Sequence, residues 1–490
     1  VNDLRILWLP IAVTALAVLG LFVESLTVPA QKPGRSIIGT ISVVGLLAIL
    51  AASFFVDASG TAARGAYESS AWTLFLQRLF LAAGILGVLG AQGDVEAHTP
   101  RRQGEYFLTL LFSLVGMVVL PGARDLVLLV VAFELMGMPL YVLAAYAKTD
   151  IANEPKTRAS EASIKLYLVG ATSTAVSLFG LALVTGLAGT TRLSELSATP
   201  MSPLFGVAMA FVLAGLGYKL GMVPFHMWVP DTYQGARAPF IAFLSVAPKA
   251  AGIAALAQIF LFGLASHKSH WLPGLANLAL LSMVVGNVLA LPQTDLRRLL
   301  GYSGIAQMGY LLVGVASNDT FSLGMVLFFL TAYLFTNLGA FLVLHAVAEA
   351  GGGFGFDSVA GLAKRSPGLA LALLCFVLSL AGIPFVVGFW AKLFVLLAAW
   401  QAGLHALVIA AITVAVMGLF YYLRMLHAAY MTPSDLPTPA MDRSLGAAIA
   451  ICFAAVVGLG LWPGPLVESA GRAASALVGS PAADTGHLHQ

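Results

Sequence analysis

Apolar runs of about 20 residues recur along this chain with hardly a pause, and that pattern restricts the fold more than any other feature. A helical run of that length matches the ~30 Å hydrocarbon core of a bilayer. Backbone amides in hydrocarbon need internal partners, so a succession of such runs builds a bundle of helices. Fourteen spans can be read, at 5–25, 36–56, 73–92, 105–121, 125–147, 163–188, 203–225, 238–263, 271–291, 297–317, 321–349, 368–402, 404–428 and 444–464. The fold class is therefore an all-α polytopic membrane protein with about 14 transmembrane helices. The connectors leave no room for a folded soluble domain. Hydrophobic residues make up 59% of the chain and charged residues only 10%, which excludes a soluble globular protein. No basic cluster exceeds two or three residues, so nucleic acid is not an expected partner; membrane lipid is. Cys375 and Cys452 fall inside apolar runs and show no CxxC or Cys/His spacing. They read as small hydrophobes, and neither a metal site nor an Fe–S site is expected. The first run is long enough to span and shows no clear cleavage site, so no signal peptide is expected.

Lys and Arg are unevenly shared between the two ends of the spans. The loops between spans one and two, three and four, and so on hold fourteen: Lys32, Arg35, Arg101, Arg102, Lys148, Lys156, Arg158, Lys165, Arg237, Arg297, Arg298, Lys364, Arg365 and Arg443. The opposite side holds seven: Arg5, Arg64, Arg78, Arg124, Arg192, Lys268 and Arg472. The positive-inside rule then puts both termini on the non-cytoplasmic side.

Against this apolar background, four charged side chains lie deep within spans: Glu134, Lys219, Lys249 and Lys392. A charge at the bilayer centre costs at least ~2.5–3.5 kcal/mol on insertion scales, so such residues mark functional paths by default. One carboxylate and three amines strung through a membrane suggest a proton relay. Glu134 and Lys219 form the natural pair, because the proton affinity of a buried lysine depends on how near a carboxylate lies. Lys249 follows Pro248, which opens a gap in the backbone bonding. The bland alternatives are a structural ion pair for Glu134, a snorkelling stem for Lys219 or Lys392, and a helix-pairing Lys249. Further possible relay or gating residues are Lys165, His226, Asp231, His345, Arg424 and Tyr302. Arg424 is expected in an interhelical ion pair, Asp295, Arg297 and Arg298 in an ordinary loop cluster, and His345 in interfacial packing. Ser303, Gln307, Thr336 and Asn337 could line a hydrated path or glue helices together.

Two segments read as broken helices. Leu213-Ala-Gly-Leu-Gly-Tyr-Lys219-Leu-Gly-Met-Val-Pro224-Phe-His-Met-Trp228 breaks between Gly217 and Pro224, and Leu380-Ala-Gly-Ile-Pro384-Phe-Val-Val-Gly-Phe-Trp390-Ala-Lys392 breaks at Gly382–Pro384. The second run spans about 35 residues, or ~52 Å as a helix, too long for one straight crossing. Matching breaks in two halves point to a transporter-like body of two inverted five-helix repeats, each with a broken helix. The expected divisions are spans one to three (1–104), a first repeat of spans four to eight (105–263), a second repeat of spans nine to thirteen (271–430), and span fourteen with a short tail (431–490).

These motifs resemble the antiporter-like membrane subunits of respiratory complex I, the proton-pumping NADH:quinone oxidoreductase. The resemblance runs from the second span to the last. Glu134, Lys219 and Lys249 fall on the positions of the family's intramembrane acid on the fifth span, lysine on the broken seventh and lysine on the eighth. Phe133-Glu134-Leu-Met-Gly-Met-Pro139-Leu-Tyr141, Val223-Pro-Phe-His-Met-Trp228-Val-Pro230-Asp231-Thr-Tyr233-Gln-Gly235 and Ser245-Val-Ala-Pro248-Lys249-Ala-Ala are similar to the subunit N branch. Lys392 separates it from the M branch, which carries Glu there, and the short tail after Pro465 separates it from L, which continues into a long lateral helix. The resemblance implies a non-redox, proton-translocating subunit (a translocase) of the bacterial inner membrane, with periplasmic termini. It also implies uptake near Lys249, storage at Lys219 beside Glu134, and release past Lys392. FMN, Fe–S clusters and quinone would belong to partner subunits, among them a neighbouring antiporter-like subunit, and none to this chain. Gly351-Gly-Gly-Phe-Gly355 is a loop between spans, not a dinucleotide fingerprint. The competing readings are a subunit of a multi-subunit cation/proton antiporter or membrane-bound hydrogenase, a stand-alone solute transporter, and a scaffold of frozen ion pairs.

Overall fold

The computed structural model describes residues 2–27, 37–56, 58–99, 102–146 and 156–479. Lys32, Arg35, Arg101 and Lys148 lie outside them. The apolar runs become helices almost throughout. Among the described residues, twelve helices are long and apolar enough to cross a membrane, from Trp8–Leu26 to Arg443–Leu461. Three shorter apolar helices, Ile37–Ala52, Pro367–Ala381 and Val387–Gln401, occupy the second and twelfth predicted spans. The strands among these residues are a small antiparallel hairpin, Gly60–Ala62 with Tyr67–Ser69.

Helices differ in how much of their apolar surface faces other protein. The most apolar-packed stretches of Ala238–Gly263 and Leu296–Ser317 are wholly buried, and Thr320–Gly352 nearly so. These three make the centre of the molecule. Ala159–Ala188 and His405–Met431 leave most of their surface outward, as lipid- or partner-facing helices do. Adjacent helices approach closely where side chains are small. A Cβ on Gly309 would lie 2.8 Å from the Ala279 carbonyl oxygen of the helix Lys268–Ala290, so the two backbones nearly touch.

Both predicted breaks exist, and both end in a left-handed glycine. The helix Pro203–Leu220 stops at Gly221 (φ 69°), and the chain resumes as the short helix Trp228–Gly235. Pro367–Ala381 stops at Gly382 (φ 84°) and resumes as Val387–Gln401. A residue in this conformation ends a helix, and glycine adopts it without a Cβ penalty. In the first break the cap is therefore Gly221. Gly217 lies one turn earlier, within the helix, where its bare Cα leaves room for Phe225 to fold back. The eighth span is also interrupted: Ala238–Leu244 ends, Ala247–Leu256 follows with Pro248 in its first turn, and the span finishes as a π-helix, Ala257–Gly263.

The C-terminal tail is a further departure. Gly464–Val478 forms a helix whose Ala470, Ala473, Ala474 and Leu477 are buried. It packs on Thr320–Val347, and a Cβ on Gly324 would lie 3.2 Å from Gly471 Cα.

Candidate proton relay

The helix Leu126–Ala144 begins at Asp125, whose Oδ1 accepts from the amides of Val127 (2.8 Å) and Leu128 (3.4 Å). That cap fixes the register of the helix. Glu134, Gly137 and Tyr141 then fall on one face at i, i+3 and i+7, and Lys219 reaches across to it. Its Nζ lies 3.5 Å from Glu134 Oε1 and 3.3 Å from Tyr141 Oη, and 5.2 Å from the centre of the Phe133 ring. Thr174 Oγ1 donates to the same Glu134 oxygen at 2.7 Å. Lys219 stands in the last turn of Pro203–Leu220, where the carbonyl end of the helix favours a cation. The ammonium is thus held by one carboxylate, one phenol, two ring faces and a helix terminus.

Lys249 has a different environment. It is 1% exposed, and its Nζ has no hydrogen-bond partner among the described residues. Tyr233 Oη, Tyr333 Oη and Asn337 Oδ1 are likewise buried without one. Lys249 Nζ is 5.7 Å from the Tyr233 ring centre, and both Nζ and Tyr333 Oη lie about 3 Å from where a Cβ on Gly304 would be. Asn337 Nδ2 donates to Ser245 Oγ at 2.7 Å, four residues before Lys249. Buried polar atoms in such number are normally satisfied by water, so this is a polar chamber.

Lys392 is held at the second break. Its Nζ donates to the carbonyls of Leu380 (2.7 Å) and Ala381 (3.3 Å), the free carbonyl end of Pro367–Ala381, and lies 4.8 Å from the Tyr310 ring centre. It lines an apolar cleft of about 500 Å³ between Val387–Gln401 and His405–Met431, open to the flank of the molecule.

One helix connects the last two lysines. Ser303, Gln307 and Tyr310 lie on one face of Leu296–Ser317. Ser303 Oγ and Tyr422 Oη are 2.5 Å apart, Gln307 Nε2 donates to Tyr422 Oη at 3.2 Å, and to the Leu380 carbonyl at 2.9 Å. That carbonyl also accepts from Lys392. Thr336 pairs with Ser379 Oγ at 2.9 Å nearby.

The other sequence candidates sort differently. Asp231 joins Lys165 and Arg298, each at 2.7 Å, and Lys165 also pairs with Glu161. Asp295, Arg297 and Arg298 do cluster, with Arg297 Nη2 3.4 Å from Asp295 Oδ2 and the Arg298 amide donating to Asp295 Oδ1 at 3.2 Å, and the Arg298 side chain adds a link to a distant segment. Tyr302 lies beside Arg298, 5.8 Å from guanidinium carbon to ring centre, rather than beside a lysine of the row. His226 sits half-buried in the first break. Arg424 makes no ion pair among the described residues. It stacks on Phe356 at 4.0 Å, because a planar guanidinium at that helix face meets a ring and no carboxylate. His345, in the last turn of Thr320–Val347, is buried next to Asp94, at 3.9 Å.

The family described as NADH:quinone oxidoreductase/Mrp antiporter, TM matches residues 123–418 of this chain. That stretch holds all four charges. NADH-quinone oxidoreductase subunit N of Heliobacterium modesticaldum is 38% identical over 473 residues, covering 95% of this chain and 98% of the relative. The chain belongs to the NADH-quinone oxidoreductase subunit N family. A chain of respiratory complex I from Thermus thermophilus with bound aureothin has the same fold, at TM-score 0.80 and 29% identity, covering 94% of this chain and 98% of that one. A chain of the Mrp complex from Dietzia sp. DQ12-45-1b matches at TM-score 0.86 and 21% identity over 98% of both chains, a likeness of fold.

For a member of the subunit N family, sequence reasoning found the charged residues and overlooked the neutral groups that hold them. Thr174, Gly137 and Gly304 had no local signal, since each acts across a helix–helix contact. Tyr141 and Tyr233 stand inside the family motifs but carried no charge to single them out. The buried Arg237–Asp94 pair, with Nε to Oδ2 at 2.6 Å, was also missed.

Proposed function

We propose that this chain moves protons within a bacterial NADH-quinone oxidoreductase as one of its non-redox membrane subunits, a translocase component. FMN, Fe–S clusters and quinone would sit in other subunits, and redox chemistry there would drive the relay here. The observation that carries this reading is the Glu134–Lys219 contact of 3.5 Å at a helix break, together with the buried Lys249 and with Lys392 at the second break. In this scheme Glu134 tunes Lys219, Lys249 takes protons from the cytoplasm, and Lys392 passes them on, within or beyond the subunit. Both termini would face the periplasm.

The pair has the right energetic size. Two unit charges at 3.5 Å attract by about 5 kcal/mol at an effective dielectric of ~20, and by about half that at twice the distance. The difference, ~2.4 kcal/mol, is close to the ~2.3 kcal/mol needed to move one charge against 100 mV. Doubling one separation is therefore enough to release a proton against a potential of that size. The deciding experiment is Lys219→Ala in the assembled complex. Proton pumping and coupled quinone reduction should both fall severely, and unchanged pumping would sink the assignment.

A further inference from the structure

The helix Thr320–Val347 and its π-helical continuation Ala348–Gly352 carry a ridge of every fourth residue: Tyr333, Asn337, Phe341, His345 and Glu349. Neighbours so spaced lie about 6 Å apart along the axis and step round it by about 40° each, so the five form a slowly winding ridge. Four of the five are polar. The ridge runs from an exposed end to the chamber around Lys249.

At its outer end, His345 lies 3.9 Å from both Asp94 Oδ1 and Glu349 Oε1. His98 completes the group, its Nδ1 3.5 Å from Asp94 Oδ1 and 2.7 Å from Arg237 Nη2. Glu349 and His98 are 43% and 29% exposed, while Asp94 and His345 are 4% and 6%. Titratable groups thus lead inward from the surface, and Arg237 pairs with Asp94 so that the buried carboxylate is compensated. At the inner end stand Asn337 and Tyr333, with Lys249 and Tyr233, each offering a buried polar atom without a partner among the described residues.

Phe341 alone interrupts this sequence of polar groups. It is 0% exposed, and its ring meets Tyr233 edge to face at 5.7 Å. Tyr233 in turn presents its ring to Lys249 at 5.7 Å. A phenyl ring offers no site for a proton and excludes the water that would carry one.

We propose that Phe341 is the gate between the His345 cluster and the Lys249 chamber. When its ring lies across the ridge, the two polar regions are separate. When it swings aside, water joins them, and one proton passes from the imidazolium of His345 to the free amine of Lys249, leaving a neutral imidazole and an ammonium. This rests on the relay reading above and adds to it a controlled point of access. It also explains why the outer groups reach so deep yet stop short of the lysine.

The test measures access rather than pumping, so its failure is separate from failure of the relay. The assembled complex is studied in inside-out vesicles with Lys249→Cys in this chain, its native thiols removed as Cys375→Ser and Cys452→Ser. A small cationic methanethiosulfonate is added outside, and modification of this subunit is followed by mass spectrometry. Phe341→Ala should raise the rate at least tenfold, and Phe341→Trp should not raise it. Equal rates with Phe and Ala at 341 would overturn the gate. If Phe341→Ala does not assemble, Phe341→Leu should show a smaller rise. With the native ring in place, His345→Cys should react at least tenfold faster than Asn337→Cys, and equal reactivity at those two positions would also overturn the proposal.

Discussion

Each buried amine rests against a glycine, and the three contacts are built alike. Lys219 Nζ lies 3.2 Å from where a Cβ on Gly137 would be, Lys249 Nζ 3.1 Å from that of Gly304, and the Lys392 stem 2.9 Å from that of Gly382. A missing side chain gives a flexible cation space to change partners, which a relay requires. Gly304→Val should therefore take the room shared by Lys249 and Tyr333. Overpacking of this kind costs ~1–3 kcal/mol, and if it falls on the proton-transfer step the rate drops about tenfold per ~1.4 kcal/mol. The expected result is an assembled complex with strongly reduced proton pumping, measured by quenching of a pH-sensitive dye. Gly274→Ala, with no atom within 4 Å of the new Cβ, should leave pumping unchanged. Thr174 gives a second case. Thr174→Val removes the 2.7 Å hydrogen bond to Glu134 but keeps the charge pair. A hydrogen bond to a charged group is worth ~1.5–3 kcal/mol at most, and less at this partly exposed site. Turnover should fall, by less than in Glu134→Gln; an equal fall would mean that Thr174 does more than hold the carboxylate. None of these neutral partners was legible beforehand, because a glycine or threonine in an apolar run looks the same whether or not a lysine from another helix lies over it.

Helix elements were legible where their ends are written in backbone chemistry. Gly-Met-Val-Pro224 and Gly382-Ile-Pro384 announce breaks because glycine accepts a left-handed φ and proline ends the amide ladder. The break lies between Gly217 and Pro224 as the sequence indicates, but Gly215, Gly217 and Gly221 all stand near the same proline, and only packing decides which one caps. Gly221→Ala tests that cap. The left-handed conformation costs a non-glycine residue roughly 1–2 kcal/mol, and the new Cβ would meet Val229 Cγ2 at 2.6 Å. The variant should lower the thermal midpoint of the complex, whereas Gly446→Ala, with open space around its Cβ, should not. The helix Gly464–Val478 escaped notice for the opposite reason. Its buried face is mostly alanine, and Glu468 and Arg472 dilute its hydrophobicity, so no apolar run marks it.

At the scale of the whole molecule, ion pairs tie together segments that are remote in sequence. Arg237 and Asp94 are 143 residues apart, Arg298 and Asp231 67, and each pair gathers at the Lys/Arg-rich ends of the spans. Such separations hide a partner from any reading of local pattern, though the charge bias itself was plain. That bias carries a prediction about orientation. Charges on short loops hold the cytoplasmic side because the positive-inside rule acts as the chain inserts. Arg365 belongs to that set, and it binds the carbonyl of Pro437 at 2.8 Å, so the exposed segment around Thr438 must share its side of the membrane. Ser269 is exposed beside Lys268, at the opposite end of its span. In a cysteine-free version of this subunit, Thr438→Cys should react with a membrane-impermeant maleimide only in inside-out vesicles, and Ser269→Cys only in right-side-out ones. The reverse pattern would place the termini in the cytoplasm and turn the ridge on Thr320–Val347 toward the periplasm. Protons would then reach Lys249 along it from the side where they are released, and the direction assigned to the relay would have to be reversed.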